Sequence, residues 1–195
     1  MKNIMLDLET MGNGHRAAIA SIGAVAFEPR TGELGAEYYV VCDLTDAEKL
    51  GFTFTGSTIS WWLQQPAAAR EALISDLMNP PVPITYVLAR FAEWIQKQSK
   101  EPLIWGNGVL FDNRIIRDAF ELVGLKVPWS HRGDRDVRTL VQLARESGFE
   151  KRQFEATSDL VADGGTEVLH NALHDARRQA RYCSKIYQAL MAGRS

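Results

Sequence analysis

A chain of 195 residues with 46% apolar content is long enough to bury a real core and too apolar to be disordered. Its two cysteines, Cys42 and Cys183, are far apart and form no CxxC pair, which excludes a cysteine-rich zinc module and fits a reducing cytoplasm better than a disulfide scaffold. The formal net charge of −2 neither supports nor excludes a polyanionic partner, and no apolar run approaches a membrane span or a secretory leader, so a cytoplasmic protein is expected.

Residues 3–8 (NIMLDL) read as a strand and residues 17–27 (AAIASIGAVAF), small and β-branched, as a second. "EPRTGE" is a hairpin turn punctuated by Pro29 and Gly32, and residues 35–42 (GAEYYVVC) supply a third strand, so the chain opens with an antiparallel meander. "TISWWLQQPAAAREAL" reads as two helical pieces broken at Pro66, and "PPVPI" as a stiff loop. Residues 84–98 place Val87, Leu88, Phe91, Trp94 and Ile95 at helical spacing. "PLIWGNG" is a short buried strand ending in glycines, residues 110–123 are a helix, and residues 126–131 are read as the fifth strand. "DVRTLVQLARESG" begins a helix that stops at Gly148, and a last helix runs from about Leu173 to Met191. The order β-β-β-α-β-α-β-α predicts an α/β fold: a five-stranded mixed sheet, an antiparallel meander followed by parallel strands, flanked by helices. Residues 1–195 are expected to form a single domain with a less regular insertion at about 44–83.

Acids stand in apolar surroundings in three segments. Asp7 and Glu9, two apart in the first strand, share one of its faces, where each raises the other's pKa. Asp112 follows the buried strand in "WGNGVLFDN", and Asp175 lies early in the last helix in "HNALHDA". Four converging carboxylates demand cations, and hard oxygen donors suit Mg²⁺ or Mn²⁺. Two such ions about 3.5–4 Å apart serve in-line phosphoryl displacement. His170, five residues before Asp175, is the candidate general base for an attacking water, because imidazole titrates near the working pH.

"DLET" at 7–10, "FD" at 111–112 and "HNALHD" at 170–175 resemble, in order, the three motifs of the DEDDh 3′–5′ exonucleases, the last through His170, Ala172 and Asp175. "DLETMGNG", "ISWWLQQ" and "WGNGVLFDN" further resemble phage and prophage exonuclease VIII-like members and a related short bacterial exoribonuclease. The resemblance implies a ribonuclease H-like fold and a two-metal-ion exonuclease that acts on single-stranded nucleic acid 3′ ends, DNA or RNA. It implies that Asp7 bridges both metals, that Glu9 and Asp175 hold the nucleophile-side ion, that Asp112 serves the second and that His170 is the base. Thr10, with the backbone around Met11 and Gly12, would face the 3′-terminal nucleotide. Relatives of this kind are often homodimers, and no residue pattern marks an interface. Many members place an asparagine four residues before the second-motif aspartate; here that position is Gly108, and Asn107 stands one earlier.

Taken singly, each motif has a structural reading: an edge charge pair, a helix cap, a dipole-favoured acid. His174 is expected to face away from the acids, and His15 and His131 to lie in loops, His15 within reach of substrate. Of Trp61 and Trp62, neighbours on a helix, one is expected to be exposed; Phe111 is the stronger candidate for stacking on a base. Arg132, Arg135, Arg138, Arg177, Arg178, Arg181 and Lys185 read either as a solvated face or as phosphate contacts. Two rival functions remain, a ribonuclease H-like endonuclease and a nucleic-acid-binding module with a vestigial site.

Overall fold

The computed structural model describes residues 1–79, 82–149 and 170–192. One mixed sheet is built from β1 (Asn3–Thr10), β2 (Ile19–Glu28), β3 (Glu33–Val41), β4 (Leu103–Gly106) and β5 (Asp134–Asp136), in spatial order β3-β2-β1-β4-β5. The first three strands pair antiparallel, while β1–β4 and β4–β5 pair parallel. This is the expected sheet, with β1 at its centre. The helices are α1 (Leu44–Lys49), α2 (Gly56–Leu63), α3 (Ala67–Met78), α4 (Ile84–Gln98), α5 (Asp112–Leu122), α6 (Val137–Glu146) and α7 (Ala172–Ala192). Pro80 and Pro81, the first two of the five residues of the expected stiff loop, lie outside the described residues. No described helix is long and apolar enough to cross a membrane.

The pleat of β1 divides its side chains between two core layers. Ile4, Leu6 and Leu8 pack with Ile22 and Ala24 of β2 beneath Val87, Leu88 and Phe91 of α4 and Ile115, Ile116 and Phe120 of α5. Met5 faces the other way, with Val25, Phe27 and Trp105, beneath Val137 and Val141 of α6 and Ala176, Ala180, Cys183 and Ile186 of α7. Asp7 and Glu9 continue the Met5 face. They therefore point beneath a helix rather than into open solvent.

The fifth strand is not at residues 126–131 but at Asp134–Asp136. Pro128 cannot donate to a ladder, and Trp129 is buried against Phe120, edge to face at 6.1 Å. A 3₁₀ turn at His131–Gly133 then feeds the chain into the sheet. The strand itself, Asp-Arg-Asp, carries no apolar signal. It is anchored through the Asp134 carboxylate, which accepts from Trp129 Nε1 at 2.8 Å, Asn113 Nδ2 at 3.0 Å and Arg117 Nε at 3.1 Å.

Candidate active site

The first acids are set by strand register: Asp7 pairs with Gly23 and Glu9 with Ser21. A Cβ on Gly23 would lie 2.1 Å from the carbonyl carbon of Ala172. The absence of a side chain there lets the start of α7 sit directly on β2, next to Asp7. That approach brings His170 and Asp175 to β1. Asp112 arrives from the other side, as the first residue of α5 after β4. A Cβ on Gly106, the last residue of β4, would lie 2.3 Å from Asn113 Oδ1, so this turn too depends on a missing side chain.

Glu9, Asp112 and Asp175 are only 8%, 4% and 7% exposed, and Asp7 is partly exposed. Asp112 Oδ1 accepts from the Leu8 N–H at 3.3 Å. Asp7 Oδ1 accepts from Gln179 Nε2 at 2.7 Å. Asp175 accepts from the His170 N–H at 2.9 Å and from Arg178 Nη2 at 2.5 Å. Among the described residues, Glu9, His170 and Asp175 form a group whose ligand atoms all lie within 4.8 Å of one another.

Asp7, Glu9 and Asp112 are pushed toward their protonated forms. Burial pushes Asp7 well above the usual carboxylate range, reinforced by the charges of Asp112, Glu9 and Asp175, and opposed by Gln179. Burial, then Asp175 and Asp112, push Glu9 up to about 8. Burial raises Asp112 to about 7 against the Leu8 and Asp112 N–H groups and Arg138, which lower it. Like-charged acids this close relieve their repulsion either by protonation or by taking up cations. An all-carboxylate oxygen set fits hard divalent ions, with Asp7, Glu9, Asp112 and Asp175 as the candidate ligands.

A cavity of about 360 Å³ adjoins Glu9, and its lining also includes Leu8, Thr10, Gly12, Asn13, Ser57, Thr58, Trp61, Trp62 and Phe111. Thr10, Gly12 and Phe111 line it, and Phe111 is partly open to solvent at 38%. Met11 does not line it: its side chain is in the core, and its N–H and C=O are taken by Ala18 and Thr55 at 2.8 and 2.9 Å. A larger cavity of about 690 Å³, near Pro102, Lys126 and Trp129, touches none of the acids.

Sequence reasoning did not identify Gln179 or Arg178 as partners of the acids. Both were within reach of it, since they fall three and four residues after Asp175, on the same helical face. Trp62 is buried and Trp61 is 44% exposed, matching the expectation of one exposed indole. His15 is engaged by Asp118 and Arg114 at 3.0 and 2.9 Å, outside the cavity. Arg177 pairs with Glu37, and Arg135 binds the carbonyls of Arg132 and Asp134, so neither is simply solvated. Arg138 lies against Gly108: a Cβ there would be 3.0 Å from its guanidinium carbon. An arginine beside Asp112 accordingly takes up space that a side chain at position 108 would need.

A central D-x-E strand, an aspartate opening the helix after the adjoining parallel strand, and a histidine just ahead of the helix that carries the last aspartate over the same face define a DEDDh-type nuclease on a ribonuclease H-like sheet. Over residues 2–187 the chain matches the 3'-5' exoribonuclease Rv2179c-like domain, and it belongs to that family. It is 27% identical over 164 residues to an exodeoxyribonuclease of Enterobacteria phage T4, covering 73% of this chain and 71% of that one. The nuclease domain of 3'hExo, a DEDDh family member bound to rAMP, shares the fold with a TM-score of 0.61 at 13% identity, over 96% of this chain and 92% of that one. Exonuclease X, in complex with 5' overhanging duplex DNA, superposes with a TM-score of 0.55 at 16% identity, over 99% and 94%. Exonuclease I gives 0.62 at 16% identity, over 99% of this chain and 44% of that one. The chain is an exonuclease domain of the 3′–5′ class.

Proposed function

We propose that this chain is a two-metal-ion exonuclease that removes nucleoside 5′-monophosphates one at a time from the 3′ end of single-stranded DNA or RNA, with Mg²⁺ or Mn²⁺. The observation that carries this reading is the mutual repulsion of four carboxylates, with His170 close to Glu9 and Asp175, beside a nucleotide-sized cavity that Glu9 lines. Residues 1–195 act in it as one domain. Asp7, Glu9, Asp112 and Asp175 would hold the ions, which when bound activate the attacking water and neutralise charge on the transferring phosphoryl group.

The protein's own side chains do the rest. Thr10, Gly12 and Phe111 orient the terminal nucleotide in the cavity, with Phe111 free to stack on a base. His170, beside Glu9 and Asp175, takes the proton of the attacking water. Water adds to phosphorus and the bond to the preceding 3′-oxygen breaks. The shortened strand keeps a 3′-hydroxyl, and the freed nucleotide carries the 5′-phosphate.

The test is digestion of 5′-labelled single-stranded DNA and RNA of equal sequence with Mg²⁺ or Mn²⁺. The expected result is a ladder shortening from the 3′ end, with 5′-monophosphate products and none in excess EDTA. Products bearing 3′-phosphates, or cutting of a circular strand, refute it.

A further inference from the structure

His170 is a non-glycine residue at φ 64, in the left-handed region, a conformation that persists only where surroundings impose it. Its backbone is tied by the N–H bond to Asp175. Its ring is held from α2: Trp61 meets the imidazole edge to face at 5.0 Å and 81°, and Trp62 at 5.9 Å and 79°. The two indoles brace each other at 5.2 Å and 77°. Trp62 is buried, and its Nε1–H donates to the Thr10 carbonyl at 3.0 Å, which fixes it to the end of β1. The segment before α2 is tied to the same strand end, with Thr55 N–H on the Met11 carbonyl at 2.9 Å. Both indoles also line the 360 Å³ cavity beside Glu9.

We infer that Trp61 and Trp62 are positioning residues that set His170 in place and link its placement to occupancy of the cavity by the terminal nucleotide. This rests on the exonuclease reading above. A nucleotide in the cavity bears on the same two rings that bear on the imidazole. The indoles then serve as more than a stacking wall, because a wall changes binding while a brace on the base changes turnover.

A double-mutant cycle on kcat separates the two roles. Trp61, partly exposed, is the residue to truncate; Trp62→Phe, which keeps a smaller ring and loses the Thr10 bond, is the second variant. Trp61→Ala should lower kcat on a single-stranded oligonucleotide about 10-fold, part of the 10²–10⁴ that a general base contributes. In a His170→Ala background it should change kcat less than about twofold, because the group it positions is gone. Trp61→Phe should restore most of the rate. Bis(p-nitrophenyl) phosphate, which carries no base to stack, should lose the same factor with Trp61→Ala. Without metal or substrate, the His170 ring-proton resonances, displaced by two neighbouring ring currents, should move toward free-histidine positions in Trp61→Ala. A raised KM with unchanged kcat, or losses that multiply in the cycle, would overturn the positioning role and leave the exonuclease reading standing. A wild-type chain that releases no mononucleotide removes both.

Discussion

Gly23→Ala probes the contact on which the site is assembled. A methyl group at position 23 would sit 2.1 Å from the Ala172 carbonyl carbon, 2.2 Å from the Leu173 nitrogen and 2.3 Å from the Ala172 oxygen. All three are backbone atoms, so no rotamer change relieves the clash. Restoring a carbon contact of about 3.5 Å requires the start of α7 to retreat by roughly 1 Å or more. Overpacking of this kind costs about 1–3 kcal/mol. At about 2–4 °C per kcal/mol for a chain of this size, the melting temperature falls by some 2–12 °C. Turnover should suffer more than stability. His170 and Asp175 ride on the displaced segment while Glu9 stays on β1, and a misplacement of about 1 Å can cost about 10²-fold in rate. The assay is kcat on a 5′-labelled single-stranded oligonucleotide beside a thermal melt. Gly14→Ala is the control, because a Cβ there meets nothing within 4 Å. A Gly23→Ala protein with wild-type kcat would refute the claim that this close approach sets the distance between the first and third motifs.

The remaining expectations concern the acids and their partners. In EDTA, stability should fall as pH rises from about 5 to 8: Glu9 and Asp112, raised to about 8 and about 7, are protonated in the folded state where the unfolded chain is already ionised, so the favourable proton uptake is lost across that window. A melting temperature that is flat or rising in EDTA from pH 5 to 8 would contradict this. Asp112→Asn should abolish cleavage yet raise the melting temperature in EDTA at pH 8, since it removes one repelling charge; a lower melting temperature would count against mutual repulsion. Gln179→Ala deletes the donor that holds Asp7 and should weaken Mn²⁺ binding, read by calorimetry, together with kcat. His170→Ala should lose about 10²–10⁴ in kcat with Mn²⁺ affinity nearly unchanged; a parallel loss of affinity would make it a ligand instead of a base.

What could be read in the chain depended on how local the signal was. The D-x-E pair, the Phe-Asp step and H-x-A-x-x-D each fit within six residues, and each lies on an element whose apolar period is plain, so their convergence was legible. β5 was misplaced because a three-residue strand of Asp-Arg-Asp is held by the side-chain bonds of Asp134, which leave no periodic trace. The role of Gly23 was hidden for another reason. A glycine in a strand of small residues signals nothing, and its partner backbone is 149 residues away in sequence. α2 was read as a helix, but its attachment to the end of β1 runs through an indole N–H on the Thr10 carbonyl and the Thr55 N–H on the Met11 carbonyl, and no spacing rule reports either.

The acid pair at the end of β1 explains why those long-range devices exist. An unscreened carboxylate cluster favours expansion, so its members separate unless the backbone holds them. Here Leu8 holds Asp112, Gln179 holds Asp7, and the His170 N–H with Arg178 holds Asp175. Each tether comes from an element packed on β1 or from β1 itself. Each leaves the acids gathered while still carrying an excess of repulsion that incoming cations can relieve. Arg178 is the informative member, because it pairs with Asp175 at 2.5 Å from a side chain that is only partly buried. The same carboxylate that would take a metal ion is thus paired with an arginine, while burial and neighbouring charges keep Asp7 and Glu9 well above the usual carboxylate range. Metal uptake should therefore release protons from the β1 pair and free Arg178 toward the phosphate side of the cavity. A count of protons released on Mn²⁺ binding, compared between wild type and Arg178→Ala, separates these two contributions.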